Sequence, residues 1–191
     1  TTAAKQVSLT ELGSIKIDKE ERAKMLKTIP RTSIIGFLIG VLPGAGANIA
    51  SFLAYGMERN LVSDKEKEKF GKGSVHGLTA PETANNAACS GAFVPLLTLG
   101  IPGSGTTAVM LGALLGFGIQ PGPRLYMTNP EIFWSVIMSM YIGMVVLLIL
   151  NLPLIPYIAR ILAVPKNYLI PLILFFSITG IYVMSFNNFD I

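Results

Sequence analysis

The chain has 191 residues, of which 51% are hydrophobic and only 14% are charged, and its formal net charge is +4. A soluble domain carries charge on about a quarter of its residues. With so few charges and a mean hydropathy of +0.58, the composition excludes a soluble enzyme or a nucleic-acid-binding domain and favours a membrane protein. A single cysteine, Cys89, excludes an internal disulfide framework, and the lone His76 has no second ligand at metal-binding spacing.

Charge is concentrated in the first 72 residues, which contain 12 Lys or Arg and 8 Asp or Glu, whereas the rest of the chain contains six charged residues. Four stretches contain none: residues 32–57, 83–123, 132–159 and 167–189. A helix needs roughly 20 apolar residues to cross a bilayer core, so each stretch is long enough to span a membrane or to enter it and return. We therefore predict an all-α, polytopic transmembrane protein.

Residues 1–31 predict an extramembrane connector that ends in a short amphipathic helix. Asp18 is a candidate N-cap for this helix, and Glu21 follows it at the capping-box spacing. Pro30 is expected to end the helix, because proline lacks the backbone N–H that a continuing helix needs. The transmembrane region is accordingly expected to cover residues 32–191.

The first apolar stretch, residues 32–57, is interrupted in its middle by the sequence LPGAGAN at positions 42–48. Proline removes a helical hydrogen bond and the two glycines add conformational freedom. We predict a broken helix or a re-entrant hairpin. The charged loop that follows, residues 58–73, contains five Lys or Arg and four acidic residues, and it is expected on the cytoplasmic side.

The second apolar stretch has a similar interruption, GIPGSGTT at positions 100–107. It predicts a second broken helix or hairpin over about residues 92–119. Further along the chain, membrane helices are expected at about residues 132–158 and 168–184, where the sequence is almost purely apolar.

The two interruptions match each other at a constant offset of 59, with residues 42–50 aligned on residues 101–109. Matched Pro-Gly interruptions in a hydrophobic chain indicate the binding site of a secondary transporter. A helix that begins after each one directs free N–H groups and a positive dipole end toward an anion such as a carboxylate. The alternative is that Pro-Gly merely kinks two transmembrane helices. The candidate residues of the substrate and ion path are Gly44, Gly46, Asn48, Gly103, Ser104, Thr106 and Thr107.

A second polar group consists of Glu82, Asn85 and Asn86, which share one face if the segment is helical. A carboxylate at membrane depth is costly and typical of a functional site, so this group is a candidate sodium ligand or proton carrier. Alternatively, Glu82 is an acidic residue at a helix start by the water interface, just after Pro81. No catalytic motif is present: residues 100–107, for example, lack the lysine of a phosphate-binding loop. No enzyme activity and no other metal site are predicted.

Five segments carry a resemblance to a known family. The chain resembles the TctA family, the large membrane subunit of the tripartite tricarboxylate transporters. The matching segments are GVLPGAGANIASFLAYGME at 40–58, FGKG at 70–73, APETANNA at 80–87, VPLLTLGIPGSGTTA at 94–108 and QPGP at 120–123.

The resemblance implies a multi-pass protein of the bacterial inner membrane, built as a longer chain with two similar halves. This chain is then expected to be most of the second half with the connector before it. The implied partners are a small membrane subunit, a periplasmic solute-binding protein, the lipid bilayer and a carboxylate substrate, with import driven by sodium or protons and no other cofactor. The alternatives are a channel-like pore, a stand-alone organic anion carrier, or a structural membrane subunit that transports nothing.

Overall fold

The computed structural model describes residues 17–159 and 166–185, and within these ranges all regular structure is helical. The prediction of an all-α chain is therefore confirmed. The helices in chain order are α1 (Lys19–Val41), α2 (Gly46–Leu61), α3 (Asp64–Lys67), α4 (Val75–Gly91), α5 (Phe93–Leu99), α6 (Gly105–Gly116), α7 (Leu125–Thr128), α8 (Pro130–Ala159) and α9 (Lys166–Ser185). By their contacts, the described residues up to Ser139 form one unit, and those from Met140 onward belong to a second.

Helix α1 begins where the sequence predicts but continues further. Asp18 is its N-cap, and the backbone N–H of Asp18 donates to the carboxylate of Glu21 at 3.2 Å, which completes the capping box. The expected end at Pro30 is wrong, since the helix runs on to Val41. Proline costs the helix one hydrogen bond, whereas the following turns pack along α4. The expected boundary of the transmembrane region at residue 32 thus falls inside α1.

Helix α4 is the centre of the first unit, because both α1 and α2 pack against it and against each other. The backbones of α1 and α4 nearly touch: a Cβ placed on Gly36 would overlap the backbone of Ala84, and one placed on Gly40 would overlap that of Ala88. Only glycine permits such an approach. The core of this three-helix packing is made of small residues: Ala50, Ala54, Ala80, Ala84 and Ala88.

Each Pro-Gly segment separates two helices. Helix α1 ends at Val41 and α2 begins at Gly46, while α5 ends at Leu99 and α6 begins at Gly105. Gly46 and Gly105 are equivalent positions at the offset of 59. The interruptions therefore produce two helix N-termini at matching places in the repeated sequence.

Helix α8 contains the stretch Pro130–Ile155, which is apolar and long enough to cross a membrane, the one such helix in the described ranges. Helix α9 is apolar over Asn167–Val183 but shorter. Most of the large hydrophobic side chains on both helices are exposed, including Leu147 and Phe175 at 55% and 64%. Such surfaces are suited to contact with lipid or with further helices.

Candidate functional site

The two Pro-Gly interruptions meet around one cavity of about 710 Å³. Five of the predicted path residues line it: Gly44, Gly46, Asn48, Gly103 and Ser104. The remaining lining residues are Ala45, Ala47, Ile49, Pro102, Gly105 and Ala108. None of these residues is charged, so the polar character of the cavity comes from backbone groups, one amide and one hydroxyl.

The start of α2 leaves backbone donors at the cavity wall. Gly44 and Gly46 have φ of +81° and +69°, a conformation that glycine adopts without strain. The N-cap of α2 is Ala45, and no side chain caps the helix. The first N–H groups of an α-helix have no partner inside the helix. The uncapped end of α2 can therefore bind a negatively charged group, assisted by the helix dipole.

The start of α6 is built differently, because side chains cap it. The hydroxyl of Ser104 accepts a hydrogen bond from the backbone N–H of Thr107 at 3.2 Å, and the hydroxyl of Thr107 accepts one from the N–H of Ser104 at 2.8 Å. Thr107 is buried, and Thr106 is exposed without lining the cavity. Of the three hydroxyls predicted here, that of Ser104 is at the cavity and that of Thr107 holds the helix start.

The second predicted group lies on α4, outside the cavity. Glu82 and Asn86 are exposed and Asn85 is half-buried. The amide of Asn86 donates to the backbone carbonyl of Glu82 at 2.9 Å, one turn earlier in the same helix. Among the described residues, no three His, Cys, Asp or Glu side chains converge in a way that could hold a metal ion.

A buried polar cluster lies at the other end of the packing between α1, α2 and α4. We call it the Glu58 cluster; its members are Thr28, Arg31, Glu58 and His76. The side chain of Glu58 is completely buried, and Thr28 and His76 are almost so. Sequence analysis placed Glu58 in a charged loop and found no partner for His76, so it missed this cluster. The signal available was the spacing of Glu58 from Ala50 and Ala54, which puts its carboxylate on the buried face of α2.

Three side chains surround the Glu58 carboxylate. Arg31 binds both oxygens: Nε donates to Oε2 at 2.7 Å, and Nη2 donates to Oε1. The hydroxyl of Thr28 and Nδ1 of His76 each lie 2.9 Å from Oε1. Burial raises the pKa of Glu58, but the hydrogen bonds and charge of Arg31, with the hydrogen bonds of Thr28 and His76, outweigh it and lower that pKa below its ordinary value. The carboxylate is therefore ionised near neutral pH.

Comparison with known proteins agrees with the resemblance seen in the sequence. The family described as "Tripartite tricarboxylate transporter TctA family" matches residues 1–191. An uncharacterized 52.8 kDa protein in the TAR-I ttuC' 3' region of Agrobacterium vitis is 41% identical over 187 residues, which cover 98% of this chain and 37% of that protein. An uncharacterized protein in the TAR-II ttuC' 3' region of the same organism is 46% identical over 156 residues, covering 82% of this chain and 64% of that protein. The chain thus spans less than two thirds of either relative, and no solved structure matches it.

Proposed function

The chain belongs to the tripartite tricarboxylate transporter TctA family, and from this premise we propose that it forms part of the permease of a cation-coupled secondary transporter. The transporter imports tricarboxylates or related organic acids and depends on a periplasmic binding protein and a small membrane subunit. The family is one of transporter components and not of enzymes. The observation that carries the proposal is the cavity shared by the two Pro-Gly interruptions.

The chemistry of the cavity supports a carboxylate as its guest. The uncapped start of α2 supplies backbone N–H groups, and a helix N-terminus acts as roughly half a positive charge. Because none of the lining residues carries a full charge, binding relies on these dipoles together with Asn48 and Ser104. Such a site attracts an anion without holding it as strongly as an ion pair would, which suits a substrate that must be released on the other side.

We place the protein in the bacterial inner membrane as a multi-pass protein. The apolar stretch Pro130–Ile155 and the exposed hydrophobic side chains of α8 and α9 support contact with lipid. The charged segment 58–73 is proposed to be cytoplasmic because short loops rich in Lys and Arg favour that side. The coupling ion is proposed to be sodium or a proton, and Glu82, Asn85 and Asn86 are the side chains proposed to complete the polar wall or to bind sodium.

The test is uptake of radiolabelled citrate by cells that produce the complete permease and its small subunit, with and without the binding protein and with and without a sodium gradient. Uptake that requires the binding protein supports the proposal. Uptake that ignores the binding protein favours a channel or a stand-alone carrier and contradicts it. If citrate is not transported, a screen of other di- and tricarboxylates follows, and failure of all of them contradicts the assigned substrate class.

A pair of serine variants tests the site within the same assay. Ser104→Ala removes an N-cap at the cavity, and Ser74→Ala removes an N-cap at the start of α4, where the hydroxyl accepts from the N–H of Gly77 at 3.0 Å. Each substitution is expected to lower the stability of the protein by about 1 kcal/mol, because it removes the hydrogen bond that caps a helix. We expect only Ser104→Ala to raise the KM for uptake, and equal effects of the two variants would argue against a role of Ser104 in substrate binding.

A further inference from the structure

The Glu58 cluster joins three helices with a titratable group that the cavity chemistry does not use. Thr28 and Arg31 lie on α1, Glu58 lies near the end of α2, and His76 lies in the first turn of α4. Imidazole is the side chain that ordinarily changes charge between about pH 5 and 8. His76 is the only histidine in this sequence, and its ring is buried against a carboxylate that stays ionised in the same range.

The partners of the ring determine where a proton can bind. Nδ1 of His76 lies 2.9 Å from Oε1 of Glu58 and 2.8 Å from the hydroxyl oxygen of Thr28. An ionised carboxylate can only accept hydrogen bonds, so Nδ1 carries the hydrogen and donates it. The hydroxyl of Thr28 donates to the same carboxylate oxygen at 2.9 Å, and its oxygen faces Nδ1 as a second acceptor for the imidazole hydrogen. The lone pair of the neutral ring is consequently on Nε2, the atom at which a proton adds.

We propose that Nε2 of His76 is a proton-binding site, and that a proton bound there changes how firmly α2 is held to α1 and α4. Proton uptake converts the neutral imidazole to imidazolium, and the Arg31–Glu58–His76 group changes from no net charge to a single positive charge. Glu58 is the only member of the cluster on α2. A change in the charge of His76 therefore acts on the end of α2 through the Glu58 carboxylate. That the response reaches substrate uptake rests on the proposed function.

The groups around the ring define the electrostatics of this step. The Glu58 carboxylate favours the imidazolium, and the Arg31 guanidinium opposes it. Further out, Lys24 of α1 is balanced by Glu66 of α3 at 3.1 Å and by Glu20 of its own helix at 2.7 Å. His76 is 7% exposed, so the residue is not completely sealed from water.

A change at the cluster can act on the cavity through α2. The helix runs from Glu58 back to Gly46, about 18 Å at 1.5 Å per residue, and its first residues line the cavity. Helices α1 and α4 are held together by glycine contacts independently of the cluster. The end of α2 is therefore the element on which the charge of His76 has most influence.

The test compares His76→Asn with the wild type in the complete permease. The asparagine amide can donate to Glu58 from nearly the position of Nδ1 but cannot take up a proton. The matched control is Glu66→Gln, which removes the carboxylate of a nearby ion pair outside the cluster. Two readouts are measured between pH 5.5 and 8: the thermal stability of the purified protein, and uptake expressed as the ratio of variant to wild type, so that titration of the substrate cancels.

We expect the unfolding equilibrium constant of the wild type to change several-fold across this range, that of His76→Asn to stay nearly constant, and that of Glu66→Gln to follow the wild type. In the uptake assay, we expect the ratio of His76→Asn to wild type to change several-fold with pH and the ratio of Glu66→Gln to wild type to stay constant. A pH dependence of His76→Asn equal to that of the wild type in both readouts overturns the proposal. If the wild type transports nothing, the proposed function fails. The pH dependence of thermal stability then tests the proton-binding site of His76 by itself.

If His76→Asn does not fold, the same pH profiles are measured for Arg31→Gln. Removing the neighbouring positive charge favours the imidazolium, so the midpoint of the pH profile moves to higher pH. A purely structural role of Arg31 would lower stability at every pH without moving the midpoint, and that result would overturn the proposal.

Discussion

Single glycines decide how closely α1 and α4 approach. Gly36 and Gly40 of α1 face the backbone of Ala84 and Ala88, and Gly91 of α4 faces the carbonyl of Phe37. At each of these positions an added methyl group would overlap backbone atoms, which cannot rotate away as a flexible side chain can. Tight packing of small residues is typical of helix contacts in membranes, where hydrophobic exclusion from water does not drive association.

We expect Gly36→Ala to destabilise the protein by about 1–3 kcal/mol, because the helices must separate to accommodate the methyl group. Gly56→Ala is the matched control: Gly56 lies within α2 and has nothing within 4 Å of an added Cβ. That variant is expected to be neutral or to gain up to about 1 kcal/mol from its better helix propensity. Thermal unfolding in detergent measures both, and equal stability of the two variants would contradict the close packing.

The lowered pKa of Glu58 makes stability depend on pH in a defined direction. Its folded pKa lies below the ordinary value of about 4.5, so its contribution is complete above that value and is lost as the pH falls through the folded pKa. We expect unfolding measured between pH 6 and pH 3 to show this loss in the wild type, and Glu58→Gln to show less of it. At neutral pH, Glu58→Gln should cost about 1–3 kcal/mol, because its donors lose a charged acceptor. Identical pH dependence of the two proteins would contradict the ionised, buried carboxylate.

At the scale of whole helices, the two N-termini at the cavity are the functional element. Each helix start lies three residues after a proline, Gly46 after Pro43 and Gly105 after Pro102, and a proline cannot continue the preceding helix because it lacks the backbone N–H. The two starts nevertheless differ: α6 is capped by Ser104, and α2 has no side-chain cap. An approaching carboxylate therefore meets more unused N–H donors at α2.

A change of charge at the start of α2 separates stability from binding. Asn48→Asp is nearly isosteric and puts a carboxylate in the first turn, where the helix dipole stabilises it by about 0.3–1 kcal/mol. We expect unchanged or higher thermal stability but a large loss of organic acid uptake, because the new charge repels the substrate. Asn129→Asp, at the residue before α8 and outside the cavity, makes the same chemical change and should leave uptake intact. Normal uptake by Asn48→Asp would contradict an anion site at this helix end.

The sequence predicts helix interruptions and caps better than it predicts packing. Asp18, Glu21 and the Pro-Gly segments affect only the backbone of residues close to them in the chain, so their effects can be predicted from the local sequence. The continuation of α1 through Pro30 depends on contact with α4, which is formed by residues about 50 positions away. The Glu58 cluster likewise unites residues from three helices. The pairing of His76 with Glu58 cannot be predicted from the sequence, because it depends on how these helices pack.

For the whole molecule, cysteine labelling tests which side of the membrane each segment faces. The charged segment 58–73 is proposed to be cytoplasmic, and we add the proposal that the segment before α8 lies on the opposite side, because an apolar helix long enough to cross the membrane follows it. In a Cys89→Ser background, which removes the exposed free thiol, we expect Thr128→Cys to react with an impermeant maleimide in intact spheroplasts. Ser63→Cys should react only after the membrane is permeabilised. Both positions are exposed, so labelling of both from the same side would contradict the proposal that they lie on opposite sides of the membrane.

The contact between α1 and α4 also has a mechanical consequence. Two backbones that touch leave no room for a lipid tail between them, and they offer no long side chains whose rotamers could absorb a change in spacing. Such a pair moves as one rigid body. Any opening or closing of the cavity then has to come from displacement of α2 and α6 against this body, because these helices begin at the Pro-Gly segments that line the cavity.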